Sequence, residues 1–170
     1  GGSLPPGLES DAIDRIASSG PWQTAVDVEG ETLRALSADY DLCKPNREEL
    51  AAATETTAET VEECVTAASA LREQGFERVV ASLGADGAVL VGPDGAVHAE
   101  PLAVDVVDTV GAGDALLSGV LASLERGERD ELALATGVAV ASRVVAQAGT
   151  GVPDLDGVFE DRAAVETRRL

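Results

Sequence analysis

The sequence predicts an α/β layered domain, and three observations carry that reading. Short runs with β-like apolar patterning alternate with longer runs of helical spacing, the order that stacks helices on a sheet. Hydrophobic residues make up 45% of the 170 residues, enough for one well-buried core. Segments bearing glycine or proline, such as Gly20-Pro21 and Gly92-Pro93-Asp94-Gly95, punctuate the runs.

From the amino terminus, Leu4-Pro5-Pro6-Gly7 reads as an opening loop. Ser10 offers an N-cap for a helix reaching Ser19, and Gly20-Pro21 stops it. Thr24 to Val28 reads as a strand, and Glu31 to Leu36 as a short helix. Tyr40-Asp41-Leu42-Cys43 is the next strand, ending at Lys44-Pro45-Asn46, and a helix begins near Asn46. Between Thr60 and Arg72 the residues Val61, Cys64, Val65, Ala68 and Leu71 repeat at helical spacing, and Gly75 ends the run. Arg78 to Leu83 is a strand entering Gly84. Ala88 to Val91 and Ala96 to Ala99 flank Gly92-Pro93-Asp94-Gly95 as a hairpin. A strand is expected around Leu102 to Val107, then the glycine-rich Gly111-Ala112-Gly113 and a helix bearing Leu117, Val120, Leu121 and Leu124. The stretch from Leu132 to about Ala146 is apolar almost all round, as in a sandwiched helix. Gly149-Thr150-Gly151-Val152-Pro153 reads as a loop, and the tail from Asp156 carries no clear signal. With no repeat and no long linker, residues 1–170 read as a single domain.

Charge excludes some function classes. There are 31 Asp+Glu against 12 Lys+Arg, a formal net charge of −19. Such a surface repels phosphate backbones and anionic headgroups, so neither nucleic acid nor membrane is an expected partner. No apolar run approaches the roughly 20 residues that span a bilayer, and the expected setting is soluble and cytoplasmic. Lys44 is the lone lysine, methionine is absent, and small Ala, Val and Gly side chains do the packing. Dispersed carboxylates of this kind suit a halophilic protein in strong brine, although a GC-rich genome would favour the same small residues and arginine. Cys43 and Cys64 form no CxxC pair and the chain has 1 His, so a zinc site is not expected and both cysteines read as buried hydrophobes. His98, on a hairpin strand, reads as a solvated edge residue.

The strongest chemical signal is Asp108-Thr109-Val110-Gly111-Ala112-Gly113-Asp114, between a strand and a helix. Glycines allow close approach to a ligand, and N–H groups at a helix start attract an anion. A carboxylate beside an anion repels it unless it has a task, such as accepting a proton from an attacking hydroxyl. That combination suits phosphoryl transfer. The bland alternative makes Asp114 a helix-start charge and the glycines a tight turn. Ser82-Leu83-Gly84-Ala85-Asp86-Gly87 is a weaker phosphate-compatible turn. Lys44-Pro45-Asn46-Arg47-Glu48-Glu49 stands at a strand end, where α/β sheets place ligands. Glu49 could hold a hydrated Mg²⁺, while Asn46 and Glu49 equally read as a capping box.

Taken together, these segments resemble the carboxy-terminal half of the ribokinase-like sugar kinases, the phosphofructokinase B family. Asp108 to Asp114 is similar to its D-T-x-G-A-G-D signature and Asn46 to Glu49 to its N-x-x-E motif. Gly2-Ser3-Leu4-Pro5-Pro6-Gly7, Lys44 to Leu50 and Ser82 to Gly87 resemble the branch that phosphorylates sugar phosphates. The resemblance spans Gly2 to about Asp154.

It implies a layered α/β/α fold with a mostly parallel central sheet, here only its nucleotide-binding portion. It implies ATP-dependent phosphorylation of a sugar phosphate, foremost fructose 1-phosphate to fructose 1,6-bisphosphate. Tagatose 6-phosphate and fructose 6-phosphate are the alternative acceptors, and a non-catalytic nucleotide-binding fragment is the alternative of another class. By position, Asp114 would be the catalytic base and Gly111, Ala112 and Gly113 the anion hole. Ser82, Gly84, Ala85, Asp86 and Gly87 would contact ATP, with Lys44 and Asn46 near its phosphates and Ser142 bordering the adenine. Glu49 would order Mg²⁺ through water, and Asp108 with the Val110 carbonyl and the Gly149-Thr150-Gly151 loop would hold a monovalent cation such as K⁺. Ser3 would touch the substrate's existing phosphate. The resemblance leaves room for a homodimer in the full-length protein. The family's amino-terminal half, with most sugar contacts and the lid, has no counterpart here, so the chain reads as a fragment.

Overall fold

The computed structural model describes residues 4, 5, 7–149, 151 and 153–170. The chain divides into two compact units, Gly1–Ala81 with Val91–Gly95, and Ser82–Leu90 with Ala96–Leu170. Strand order follows chain order from the first strand to the sixth. Among the described residues no helix is long and apolar enough to cross a membrane.

The first unit alternates helix and strand: α1 (Ser10–Ala17), β1 (Ala25–Val26), α2 (Gly30–Ala35), β2 (Tyr40–Cys43), α3 (Arg47–Thr54), α4 (Val61–Glu73) and β3 (Phe76–Ser82, whose last residue belongs to the second unit). The three strands are parallel, with Ala25 opposite Leu42 and Leu42 opposite Arg78. Leu33, Leu42, Leu50, Leu71, Val79 and Val80 are fully buried. Thr60 and Glu63 close a capping box at the start of α4, as the spacing of a threonine and a glutamate three apart allows. Ser10 is not the cap of α1: it is the first helical residue, and Glu9 precedes it without a side-chain bond. Gly30 is required by proximity, since a Cβ there would lie 2.4 Å from the carbonyl oxygen of Glu49.

Asp14 fastens α1 to the entry of β2. Its carboxylate accepts hydrogen bonds from the N–H of Ala38 at 3.0 Å, the hydroxyl of Ser37 at 2.8 Å and the hydroxyl of Tyr40 at 2.7 Å. Burial works to raise the Asp14 carboxyl, but the donors from Tyr40, Ala38 and Ser37 outweigh it and leave the group below its ordinary value. Burial and the bond to Asp14 push the Tyr40 hydroxyl strongly up. A depressed carboxyl contributes stability that is present above its unfolded value near 4 and lost as pH falls through the folded value. Asp14→Ala is therefore expected to destabilise the chain by about 2–3 kcal/mol at pH 7 and to flatten the acid limb of its stability curve. Urea melts at pH 7 and pH 3 check this, and an equal loss at both values would contradict it.

The second unit contains a single 3-10 turn (Gly84–Asp86), most of the hairpin β4 (Ala88–Gly92) and β5 (Gly95–Ala99), then α5 (Ala112–Glu125), α6 (Asp130–Val145), α7 (Val158–Ala164) and β6 (Thr167–Arg169). The tail that carried no sequence signal closes as a strand antiparallel to β5, with Val97 opposite Arg169 and Ala99 opposite Thr167. Helix α7 packs on α6, where Arg143 donates to the Asp161 carboxylate at 2.6 Å and to the Asp154 carbonyl at 2.7 Å. Ala133 through Ala139 are all buried, in keeping with the apolar reading of α6.

One expectation fails here. No strand forms at Leu102–Val107; residues 101–109 have no regular structure. The N–H groups of Val107 and Asp108 bond the Val145 carbonyl at the end of α6, and Val106 and Val107 stay 64% and 58% exposed. Alternating valines give the pattern of a strand, but pairing depends on a neighbour that local sequence does not specify. Helix α5 forms where expected and buries Val120 of the apolar set together with small residues. Ala115, Leu116, Gly119, Val120 and Ser123 are buried while Leu121 is exposed. The cause is the crossing of α5 with α6: a Cβ at Gly119 would lie 2.7 Å from the Cα of Gly137, so small residues define the contact.

Candidate functional site

In the first unit, β2 delivers Lys44 to its carboxyl end, and the side chain is only 3% exposed. Its Nζ lies 3.2 Å from Oδ2 of Asp27, which follows β1. A buried ammonium needs such a partner, because removing one member of a buried pair costs about 3–5 kcal/mol. Asp27 was missed from the sequence, although a carboxylate just after one strand and the only lysine just after the next was an available signal. Asn46 caps α3 by accepting from the Glu49 N–H at 2.8 Å, and Glu49 Oε2 accepts from the Asn46 N–H at 2.8 Å. The capping box is thus formed, and it holds the Glu49 carboxylate at the first turn of α3. Cys43 and Cys64 are both buried, and no disulfide joins them. Burial pushes the Cys43 thiol strongly up, against a smaller pull from Lys44, so it is no nucleophile at neutral pH. A depression of about 400 Å³ lined by Asp39, Tyr40, Asp41, Arg72, Gly75, Phe76 and Glu77 lies at the other ends of β2 and β3, away from Lys44.

In the second unit, the turn after β3 leaves Gly84, Ala85 and Asp86 exposed, with Ser82 and Gly87 half-buried. Gly84 and Gly87 adopt φ of 64° and 79°, in the left-handed region that only glycine enters freely. His98 is not a solvated edge residue: it is 7% exposed, and its Nε2 lies 2.7 Å from the carbonyl oxygen of Asp86. Packing within the second unit, which a lone histidine in a hairpin does not reveal, buries it.

The segment before α5 is built around Asp108. Its Oδ1 accepts from the Val110 N–H at 3.0 Å and its Oδ2 from the Gly149 N–H at 3.4 Å. Gly111 takes φ of 81° at the N-cap of α5, so the chain turns sharply into the helix and sets Asp114, exposed, in its first turn. The Ala112 N–H bonds the Thr109 carbonyl at 3.2 Å, so the turn itself uses one of the three anion-hole donors expected from the sequence. Ser142 is buried on α6 at 6% exposure. Ser3, Thr150 and the Gly2, Ser3 and Pro6 positions of the opening motif lie outside the described residues.

Helices alternating with the parallel strands β1 to β3, and glycine turns at strand ends, make this an α/β protein. The chain belongs to the pfkB family of carbohydrate kinases, whose model matches residues 1–156. It is 57% identical over 166 residues to the 1-phosphofructokinase of Haloferax volcanii, covering 98% of this chain and 54% of that protein. It is 40% identical over 158 residues to the 1-phosphofructokinase of Escherichia coli, covering 90% and 50%. Among solved structures, phosphofructokinase-2 from Escherichia coli in complex with potassium matches with a TM-score of 0.87 and 29% identity, over 96% of this chain and 55% of that one. Arabidopsis thaliana ribokinase complexed with ribose and ATP matches with a TM-score of 0.69 and 25% identity, over 90% and 50%. The fold is therefore ribokinase-like, and the chain spans about half the length of the curated relatives it matches.

Proposed function

We propose that this chain is the nucleotide-binding half of a kinase that phosphorylates fructose 1-phosphate at the expense of ATP, giving fructose 1,6-bisphosphate and ADP. The observation that carries the reading is Asp114, an exposed carboxylate in the first turn of α5 behind a left-handed Gly111, within a segment matching the family signature. In this role Asp114 takes the proton of the sugar hydroxyl, whose oxygen bonds to the γ-phosphorus as the bond from phosphorus to the ADP oxygen breaks. The N–H groups of Gly111 and Gly113 would offset the charge on the transferring group, the Ala112 N–H being engaged by the Thr109 carbonyl.

Ser82, Gly84, Ala85, Asp86 and Gly87 would contact ATP, with Ser142 near adenine and Lys44 and Asn46 near phosphates. Among the described residues no three His, Cys, Asp or Glu side chains gather as a metal cage. Glu49, whose carboxylate the capping box holds at the first turn of α3, would hold Mg²⁺ through water, and the cation would neutralise phosphate charge. Carboxylate oxygens that accept one N–H each keep further lone pairs, so Asp108 with the Val110 carbonyl can also serve K⁺. The anionic surface supports adaptation to concentrated salt, and a cytoplasmic setting and a homodimer of the full-length protein belong to the same reading.

An ADP-release assay on the full-length protein tests this, with fructose 1-phosphate, tagatose 6-phosphate and fructose 6-phosphate offered in turn. The highest kcat/KM is expected for fructose 1-phosphate. A preference for another acceptor would overturn the substrate assignment, and no acceptor-dependent ADP release would overturn the kinase reading.

A further inference from the structure

We infer that His98 is a positioning residue that holds the Gly84–Asp86 turn in its ligand-ready shape; the inference rests on the reading of that turn as an ATP contact. The imidazole is 7% exposed, and its Nε2 lies 2.7 Å from the carbonyl oxygen of Asp86. A carbonyl oxygen only accepts, so Nε2 carries the hydrogen and donates it. The turn's other backbone bonds are local: Asp86 N–H to the Leu83 carbonyl at 3.3 Å, Gly87 N–H to the Gly84 carbonyl at 3.1 Å and Leu83 N–H to the Gly87 carbonyl at 2.8 Å. His98 adds a tie from β5, twelve residues along the chain from Asp86. The same strand supports the turn a second time. A Cβ at Gly87 would sit 2.0 Å from the carbonyl oxygen of Ala99, so backbone lies directly on backbone there.

Three residues of the turn, Gly84, Ala85 and Asp86, are exposed, and two positive-φ glycines, Gly84 and Gly87, bracket it. A segment of that kind has many conformations when untethered, and ordering it on binding weakens affinity. A buried donor fixed on a strand removes part of that freedom before the ligand arrives. His98 itself is turned to the Asp86 carbonyl and buried, so its contribution is to nucleotide affinity and not to the proton transfer.

The test uses the full-length protein with His98→Leu, His98→Gln and, as a reference for the turn, Gly84→Val. Calorimetric Kd for Mg·ATP, KM for ATP, kcat and Tm are measured for each. His98→Leu is expected to raise Kd and KM for ATP by about 5–20-fold with kcat within about twofold. The Gln amide places a donor near the Nε2 position, so His98→Gln is expected to recover affinity to within about threefold. A lowered Tm with unchanged ATP affinity would overturn the inference, as would a fall in kcat at unchanged KM. If Gly84→Val loses ATP affinity while His98→Leu keeps it, the nucleotide reading stands and the positioning role falls. Unchanged affinity in both variants overturns the reading of the turn and, with it, the role of His98. Should His98→Leu not fold, His98→Asn, whose amide is too short to reach, replaces it: affinity equal to that of His98→Gln would overturn the inference.

Discussion

Asp114→Asn in the full-length protein is expected to lower kcat by about 10²–10⁴-fold while Mg·ATP still binds. The amide has the size of the carboxylate but cannot accept the hydroxyl proton at neutral pH. The fold should not notice the change. The side chain is exposed, and the start of α5 is held by backbone: the Ala115 N–H bonds the Gly111 carbonyl at 2.9 Å. Losing a negative charge in a first helical turn costs about 0.3–1 kcal/mol, too little to unfold the protein. Near wild-type turnover would remove Asp114 from the mechanism. Loss of ATP binding together with Tm would return it to the bland role of a helix-start charge.

Salt should act on this chain more strongly than on an ordinary domain. A net charge of −19 on 170 residues repels itself in dilute buffer, and that repulsion is relieved when the Debye length shrinks from about 10 Å at 0.1 M to about 3 Å at 1 M. If screening restores several kcal/mol, Tm should rise by about 10 °C between dilute buffer and molar KCl, at about 2–4 °C per kcal/mol for this size. Thermal melts in a KCl series measure it. A flat or falling Tm would refute salt adaptation. A rise with KCl and not with NaCl would instead point to a specific cation at Asp108, since general screening does not distinguish the two ions.

Local signals in the sequence are legible where the chain decides its own structure. Asn46 stands three residues before Glu49, and the two form the capping box that their spacing allows. Tyr40–Cys43 is a strand, and the Gly92-Pro93-Asp94-Gly95 segment turns the hairpin. What was not legible depends on distant partners. The valines of 104–107 have strand patterning without strand pairing, and Thr167–Arg169, with no apolar pattern at all, becomes a strand because β5 offers it an edge. The Lys44 and Asp27 pair joins two parallel strands whose register no local pattern gives. The burial of His98 follows from the turn folding back on β5, a tertiary fact. Of the candidate site, the Asn46–Glu49 capping pair and the glycine turn before Asp114 are legible as local motifs, and the Asp27 and His98 contacts are not.

The most direct test is titration calorimetry of Mg·ATP into the purified 170-residue chain, run beside an ADP-release assay with fructose 1-phosphate. The proposed nucleotide contacts all lie in this chain, whereas positioning the acceptor, which contributes about 7–11 kcal/mol to such reactions, would need the residues that the longer relatives add. The prediction is saturable Mg·ATP binding without measurable turnover. A folded chain that binds no ATP would contradict the central claim, and robust turnover would contradict the division of labour between this chain and the rest of the kinase.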